Sequence, residues 1–275
     1  MRESRREQAE ARAAIQGQPF PVSIDPKKYA QSPGILRDRV IAITGASDGI
    51  GKALAIQAAK LGAQVILHGR NAEKLEAVYD QIVQADGVCR PSIAIMDLAT
   101  AGSEAYSSLA ASIEAEFGRV DGLVHNAALL GQRLSIEQYD AAEWQQVLHV
   151  NLTAPFALTQ VFLPLLRRSQ DPSVIFTSSG VGREGRAYWG AYSVSKFGIE
   201  ALSQILAAEN KHVPIRVNCI NPGPTRTSLR RAAYPAEDRK ASKRPEEVLS
   251  PYIYLLGPDS RNVTGRSLDA QLGLK

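Results

Sequence analysis

From Arg39 onward the chain alternates short runs of β-branched and aliphatic residues with longer segments of helical spacing, and no other feature of its 275 residues restricts the fold as much. Strands are expected at 40–44 (VIAIT), 63–68 (AQVILH), 92–96 (SIAIM), 122–125 (GLVH), 173–178 (SVIFTS) and 215–220 (IRVNCI). Helices are expected between them at 51–62, 71–86, 104–118, 141–168 and 191–211. Gly62 stops the first, Asn71 caps the second, and Pro155 and Pro164 are positions for a kink in the fourth. Short strands that are apolar throughout and joined by helices must lie parallel, covered on both faces. Right-handed crossovers then give a doubly wound parallel α/β sheet in a single domain. Residues 1–38, polar and punctuated by Pro19, Pro21, Pro26 and Pro33, read as an arm preceding a domain at 39–275.

A hydrophobic fraction of 44% is enough to fill the core of one large domain. The net charge of +4 is too small an excess to indicate nucleic-acid binding. No apolar run approaches the ~18 residues expected of a membrane span. The start, MRESRREQAEARAAIQ, lacks an apolar stretch of secretory type, and Glu3, Glu7 and Glu10 speak against a transit peptide. Cys89 and Cys219 stand far apart with no CxxC and no histidine at ligand spacing, so two buried free thiols and no metal are expected. Such cysteine usage suits a cytoplasmic protein.

The turn after the first strand reads Thr44-Gly45-Ala46-Ser47-Asp48-Gly49-Ile50-Gly51. Gly45 permits the tight turn, Gly49 lets backbone approach a pyrophosphate, and Gly51 lets the helix pack closely on the strand. The N–H groups of Ser47, Asp48, Gly49 and Ile50, with the helix dipole, would hold the anion. This spacing between strand and helix suits a Rossmann-like dinucleotide site, although glycines here also serve as plain turn punctuation. Gly45-Ala46-Ser47-Asp48-Gly49 fits G-x-S-x-G as well, which would make Ser47 a hydrolase nucleophile. That enzyme needs a late histidine, and His212 stands at a helix end where a solvated cation is the ordinary explanation.

Tyr192 and Lys196 stand one helical turn apart at the start of the last long helix, and Ser179 precedes Tyr192 just beyond the fifth strand. A lone Tyr-x-x-x-Lys is an ordinary surface pair. Together with the glycine turn and Ser179, it makes the chain resemble the short-chain dehydrogenase/reductase superfamily over roughly residues 38–270. TGASDGIG, FTSSGVGREGRAYWGAYSVSKFG and RVNCINPGPTRT are most similar to a branch of uncharacterised oxidoreductases. The resemblance implies that Asp97 and Leu98 contact the adenine, that Asn126 lies by the cofactor, and that Asn151 is the catalytic asparagine, anchoring a water. It also implies that Pro222, Gly223, Thr225 and Thr227 cover the nicotinamide and that Lys196 holds its ribose. Ala128 and His125 depart from the common pattern. Family members pair through their two longest helices, which implies a homodimer or homotetramer.

The implied reaction moves hydride between a nicotinamide and a small-molecule carbonyl or alcohol. A free tyrosine has a pKa of about 10, so Lys196 is expected to stabilise the Tyr192 phenolate while Ser179 orients the substrate oxygen. NAD sites carry a carboxylate at the end of the second strand; here Gly69 stands there, followed by Arg70. That favours NADP over NAD, with Arg70 on the 2′-phosphate, although Arg70 also fits as a solvated residue before a helix cap. Arg226, Arg230, Arg231, Arg239, Lys240, Lys243 and Arg244 form either a solvated face or a lid that steers an anionic substrate. Arg183 and Arg186 are expected at the mouth, with Trp189 lining the pocket or covering core. The competing class is a non-catalytic NADP(H)-binding regulator.

Overall fold

The computed structural model describes residue 25 and residues 28–271. Seven parallel strands make one sheet in the order β3-β2-β1-β4-β5-β6-β7. They are β1 (Val40–Thr44), β2 (Gln64–Gly69), β3 (Ser92–Ile95), β4 (Gly122–His125), β5 (Ser173–Thr177), β6 (Arg216–Asn221) and β7 (Arg266–Asp269). Helices α1 (Gly49–Lys60), α2 (Ala72–Val83), α3 (Ser103–Phe117), α4 (Ala141–Leu148), α5 (Ala154–Leu166) and α6 (Gly190–Glu209) make the crossovers. Two shorter helices, α7 (Ser228–Ala233) and α8 (Ser250–Leu256), lie between β6 and β7.

Alternate residues of the strands face opposite layers, and both are apolar. Ile41, Ile43, Val65 and Leu67 meet Leu54, Ala55 and Ala58 of α1 and Tyr252 and Leu255 of α8. Val40, Ala42 and Val174 meet Ile113, Leu158, Phe162 and Leu206 of α3, α5 and α6. Full burial of a Leu or Phe side chain contributes about 2 kcal/mol, so these faces hold the helices on the sheet. Asp48 caps α1 by accepting from Gly49 N at 2.7 Å, and Asn71 caps α2 by accepting from Lys74 N at 2.8 Å.

The expected continuous helix 141–168 is two helices joined by a π-turn at His149–Thr153. From Ala141 to Leu166 this 26-residue stretch is long and apolar enough to cross a bilayer, against the expectation that no run approached that length. Its Leu158, Phe162, Leu165 and Leu166 belong to the sheet core. The edge strand β7 was not expected, because RSLD offers only Leu268 as a buried apolar residue. Much of the amino-terminal arm, including any frayed helix, lies outside the described residues. Its last part is docked: Leu36 is fully buried, and Tyr29 packs edge-on against Tyr254 while donating to Asp259 at 2.7 Å. Cys219 is buried, but Cys89 is exposed, which corrects the expectation of two buried thiols.

At the amino-terminal rim of the sheet, Arg216 is 3% exposed and pairs with Asp171 at 3.0 Å, which also receives Arg39 at 3.2 Å. The opposite rim, at the strands' carboxyl ends, carries the crevice described next.

Candidate active site

In a doubly wound sheet the crevice forms where the crossovers reverse direction, here between β1 and β4. A cavity of about 750 Å³ opens there. A Cβ on Gly51 would stand 2.2 Å from the Gly45 carbonyl oxygen and 2.6 Å from Asn126 Nδ2. Only glycine lets α1 begin that close to the turn, which leaves Gly45, Ser47, Asp48, Gly49 and Ile50 lining the cavity. Gly45 has φ +68°, and a Cβ on Gly49 would meet Thr227 Cγ2 at 2.8 Å. Backbone held this tightly around a helix start suits a dinucleotide pyrophosphate. Gly51 itself does not line the cavity; it sets the spacing behind it.

The cavity runs along the ends of β2 and β3, past Gly69, Arg70, Asn71, Lys74, Asp97 and Leu98. A Cβ on Gly69 would make only ordinary contact, 3.4 Å from Leu75 Cδ2, so packing does not force the missing carboxylate. Arg70 lies 3.9 Å from Asp97, and both are well exposed, a pair worth under about 1 kcal/mol that a stronger anion can displace. Lys74, in the first turn of α2, has no acidic partner among the described residues. Its place one turn beyond Arg70 is the signal for it in the sequence. Asp97 accepts from Ala99 N at 3.0 Å, and Asn126 donates to the Thr44 carbonyl at 3.2 Å.

Ser179, Tyr192 and Lys196 line the same cavity, as do Pro222, Gly223, Thr225 and Thr227. Thr227 caps α7, accepting from Arg230 N at 3.1 Å. Tyr192 is 7% exposed; burial pushes its phenol up to about 12, and the hydrogen bond with Ser179 pulls the other way. Lys196 Nζ donates to the Thr177 carbonyl at 2.7 Å and stands 5.6 Å from the centre of the Tyr192 ring. Burial brings the amine down to about 8 against the opposing pull of Cys219 and Glu200. Burial therefore governs both groups, and at neutral pH the phenol keeps its proton.

Asn151 does not reach the cavity. Within the π-turn it accepts from Leu129 N at 2.7 Å and donates to Leu129 O at 2.8 Å and Ser195 Oγ at 3.1 Å. Ser195 in turn donates to the Tyr192 carbonyl at 2.7 Å, so Asn151 ties the loop following β4 to the start of α6. A π-turn inside a helix often marks a functional position.

Around the rim the structure sorts the expected cations. Arg183 turns away from the mouth to Asp269 at 2.7 Å and Glu200 at 3.4 Å, whereas Arg186 and Trp189 line the cavity. Arg230 holds Glu237 through two nitrogens at 2.8 and 2.5 Å, and Arg226 donates to Ser242 O at 2.7 Å. Lys243 and Arg244 both meet Glu247, at 3.4 and 3.3 Å. Arg230, Lys243 and Arg244 of the cationic run are thus ion-paired, and Arg226 is held by a carbonyl. The hydrolase alternative fails on topology: exposed His212 precedes β6 at the amino-terminal rim, whereas Ser47 follows β1 at the opposite one. Among the described residues no hydrogen bond joins Ser47 to a histidine.

Strand order, glycine turn and the Ser-Tyr-Lys group in one crevice define the class: the chain belongs to the short chain dehydrogenase family, whose model matches residues 39–238. Among its relatives is the uncharacterized oxidoreductase YciK of Escherichia coli strain K12, 47% identical over 247 residues, 90% of this chain and 97% of that protein. A short chain dehydrogenase from Shigella flexneri 2a, crystallised with NADP, is 47% identical at a TM-score of 0.85, over 87% of this chain and all of that one. Another from Escherichia coli CFT073, complexed with NADPH, is 48% identical at 0.85 over 88% of this chain and all of that one.

Proposed function

We propose that this protein is an NADP(H)-dependent oxidoreductase interconverting a carbonyl and an alcohol, with Tyr192 as proton donor and acceptor. The observation that carries the reading is the meeting of the Tyr192 phenol, the Ser179 hydroxyl and the Lys196 amine in the cavity onto which the glycine turn opens. The nicotinamide, when bound, supplies or accepts the hydride at the substrate carbon.

In reduction Tyr192 gives its proton to the substrate oxygen; a phenol near 12 is fully loaded for that direction at neutral pH. Ser179 donates to the same oxygen and fixes the carbonyl's orientation. Lys196, near 8, is mostly charged at neutral pH, favours the phenolate as it forms, and returns a proton to it. Asn151 acts by position, and the π-turn around it offers backbone for a water on the proton path. Arg70, Lys74 and Ser47 gather two cations and a hydroxyl for a 2′-phosphate, with no carboxylate at Gly69 to repel it. The NADP and NADPH in the Shigella flexneri and Escherichia coli relatives support that choice.

Phe156 on α5 and Val194, Phe197 and Ile205 on α6 stand 42–55% exposed. An apolar face of this kind suits a second copy of the chain, and a homodimer or homotetramer follows.

The test is an NADPH-oxidation screen over ketones, aldehydes and acyl thioesters. Tyr192→Phe should keep NADPH binding yet lose at least ~100-fold in kcat, the usual scale of proton transfer by a side chain. Full turnover by that variant removes Tyr192 from its role, and binding without turnover by the parent protein favours a regulator.

A further inference from the structure

Past the Tyr192 phenol the cavity continues into a chamber walled by Val181, Trp189, Leu229, Ala233 and Tyr234. These residues pack on one another as an apolar cluster separate from both faces of the sheet. Trp189 and Tyr192 have ring centres 5.7 Å apart, and Trp189 and Tyr234 5.9 Å apart, so three aromatic rings follow one another along the wall.

Two cations brace this wall, Arg133 from behind and Arg230 among the residues that line the cavity. Arg133, which does not line the cavity, lies 4.6 Å over the Trp189 ring and 5.0 Å over the Tyr234 ring, and donates to the Ala233 carbonyl. Arg230 stacks on Tyr234 at 3.8 Å while Glu237 takes its charge. Of the cations that line the cavity here, Arg230 is held by Glu237, and Arg186 is half exposed at the mouth with only a loose contact to Glu184 at 3.8 Å. A carboxylate or phosphate passing Arg186 into the chamber would lose its water against a wall that carries no cation of its own, whereas a flat apolar body would gain buried area and ring contact.

We propose that the substrate is a neutral ketone or secondary alcohol whose reacting carbon belongs to an apolar ring system, seated against Trp189 and Leu229. The assignment rests on the oxidoreductase reading for its reacting group, but not for the chamber that receives the rings. Each further methylene buried there is worth about fourfold in affinity. A bicyclic ketone should therefore exceed a short oxo acid by at least ~100-fold in kcat/KM.

Binding and turnover are read separately. The chain has two tryptophans, and Trp144 does not line the cavity, so Trp144→Phe leaves the emission of Trp189 alone to report on the chamber. With NADP present, 2-decalone should change that emission saturably, and 2-oxobutanoate at the same concentration should not. In turnover with NADPH, Trp189→Ala should raise KM for 2-decalone at least tenfold; Leu229→Asn carries the same test if that variant does not fold. Saturable 2-decalone binding with no turnover keeps the chamber and sinks the oxidoreductase reading. No saturable response to 2-decalone, or an oxo acid turned over as well as 2-decalone, overturns the proposal.

Discussion

Acidifying the protein from pH 8 to pH 5 should remove about 4 kcal/mol of stability through two side chains, His68 and His125. Both are at most 4% exposed. Neither ring nitrogen of His68 has a hydrogen-bond partner, and burial holds its pKa at about 4. His125 shares a 2.9 Å hydrogen bond with Thr159, whose hydroxyl already donates to Pro155 O at 2.7 Å. The ring must therefore donate through Nε2, leaving Nδ1 bare, and burial brings its pKa to about 3. Folded values lie below the unfolded value of 6.5, so the unfolded chain takes up protons first. The stabilisation is complete above that value and is lost as pH falls through the interval down to the folded values. At pH 5 the unfolded chain gains a factor of about 30 per histidine, or about 2 kcal/mol each. Urea unfolding of the nucleotide-free protein at pH 8, 6 and 5, with His68→Gln alongside, measures this. Carboxylate titrations cancel between the two proteins, and the variant should lose about 2 kcal/mol less than the parent over that range. Equal acid sensitivity of the two would refute the argument that His68 is buried neutral and unpartnered.

Arg70→Ala with Lys74→Ala should weaken NADPH binding by ~10-fold or more and leave NADH binding nearly unchanged; titration calorimetry decides, and equal losses would rule out a 2′-phosphate at this place. Asp171→Ala strands the buried Arg216 and should cost about 3–5 kcal/mol in thermal or urea unfolding. A loss under about 1 kcal/mol would mean water reaches that guanidinium. Phe197→Asp places a charge in the exposed apolar face of α6 and should lower the molar mass measured by light scattering to that of one chain; an unchanged mass moves the contact elsewhere.

Five of the strands could be read from the sequence because both faces of each are buried, so runs such as VIAIT and GLVH carry no interrupting polar face, while the half-buried β3 was legible from its aliphatic run SIAI. The glycine turn was legible for a related reason: the clash at Gly51 is made by Gly45 itself, six residues away. What stayed hidden depends on partners distant in the chain. HVNLT carries no local mark of a π-turn, and only bonds to Leu129 and Ser195 mark Asn151 as the tie across it. Arg183 and Arg186 look alike in sequence, yet Asp269 from the last strand draws one inward and leaves the other at the mouth. The cationic run reads as a free charge field until Glu237 and Glu247 are seen to hold Arg230, Lys243 and Arg244. Arg133 gave no local signal, since its role exists only once Trp189 and Tyr234 come together.

The ionic knot of Arg39, Asp171 and Arg216 sits at the foot of the strands, while every group proposed to handle substrate hangs from their tips. Foundations and workshop are thus a full strand apart. Residues around the chamber can drift toward new guests without loosening what anchors the architecture, and repairs to the footing should leave ligand choice untouched.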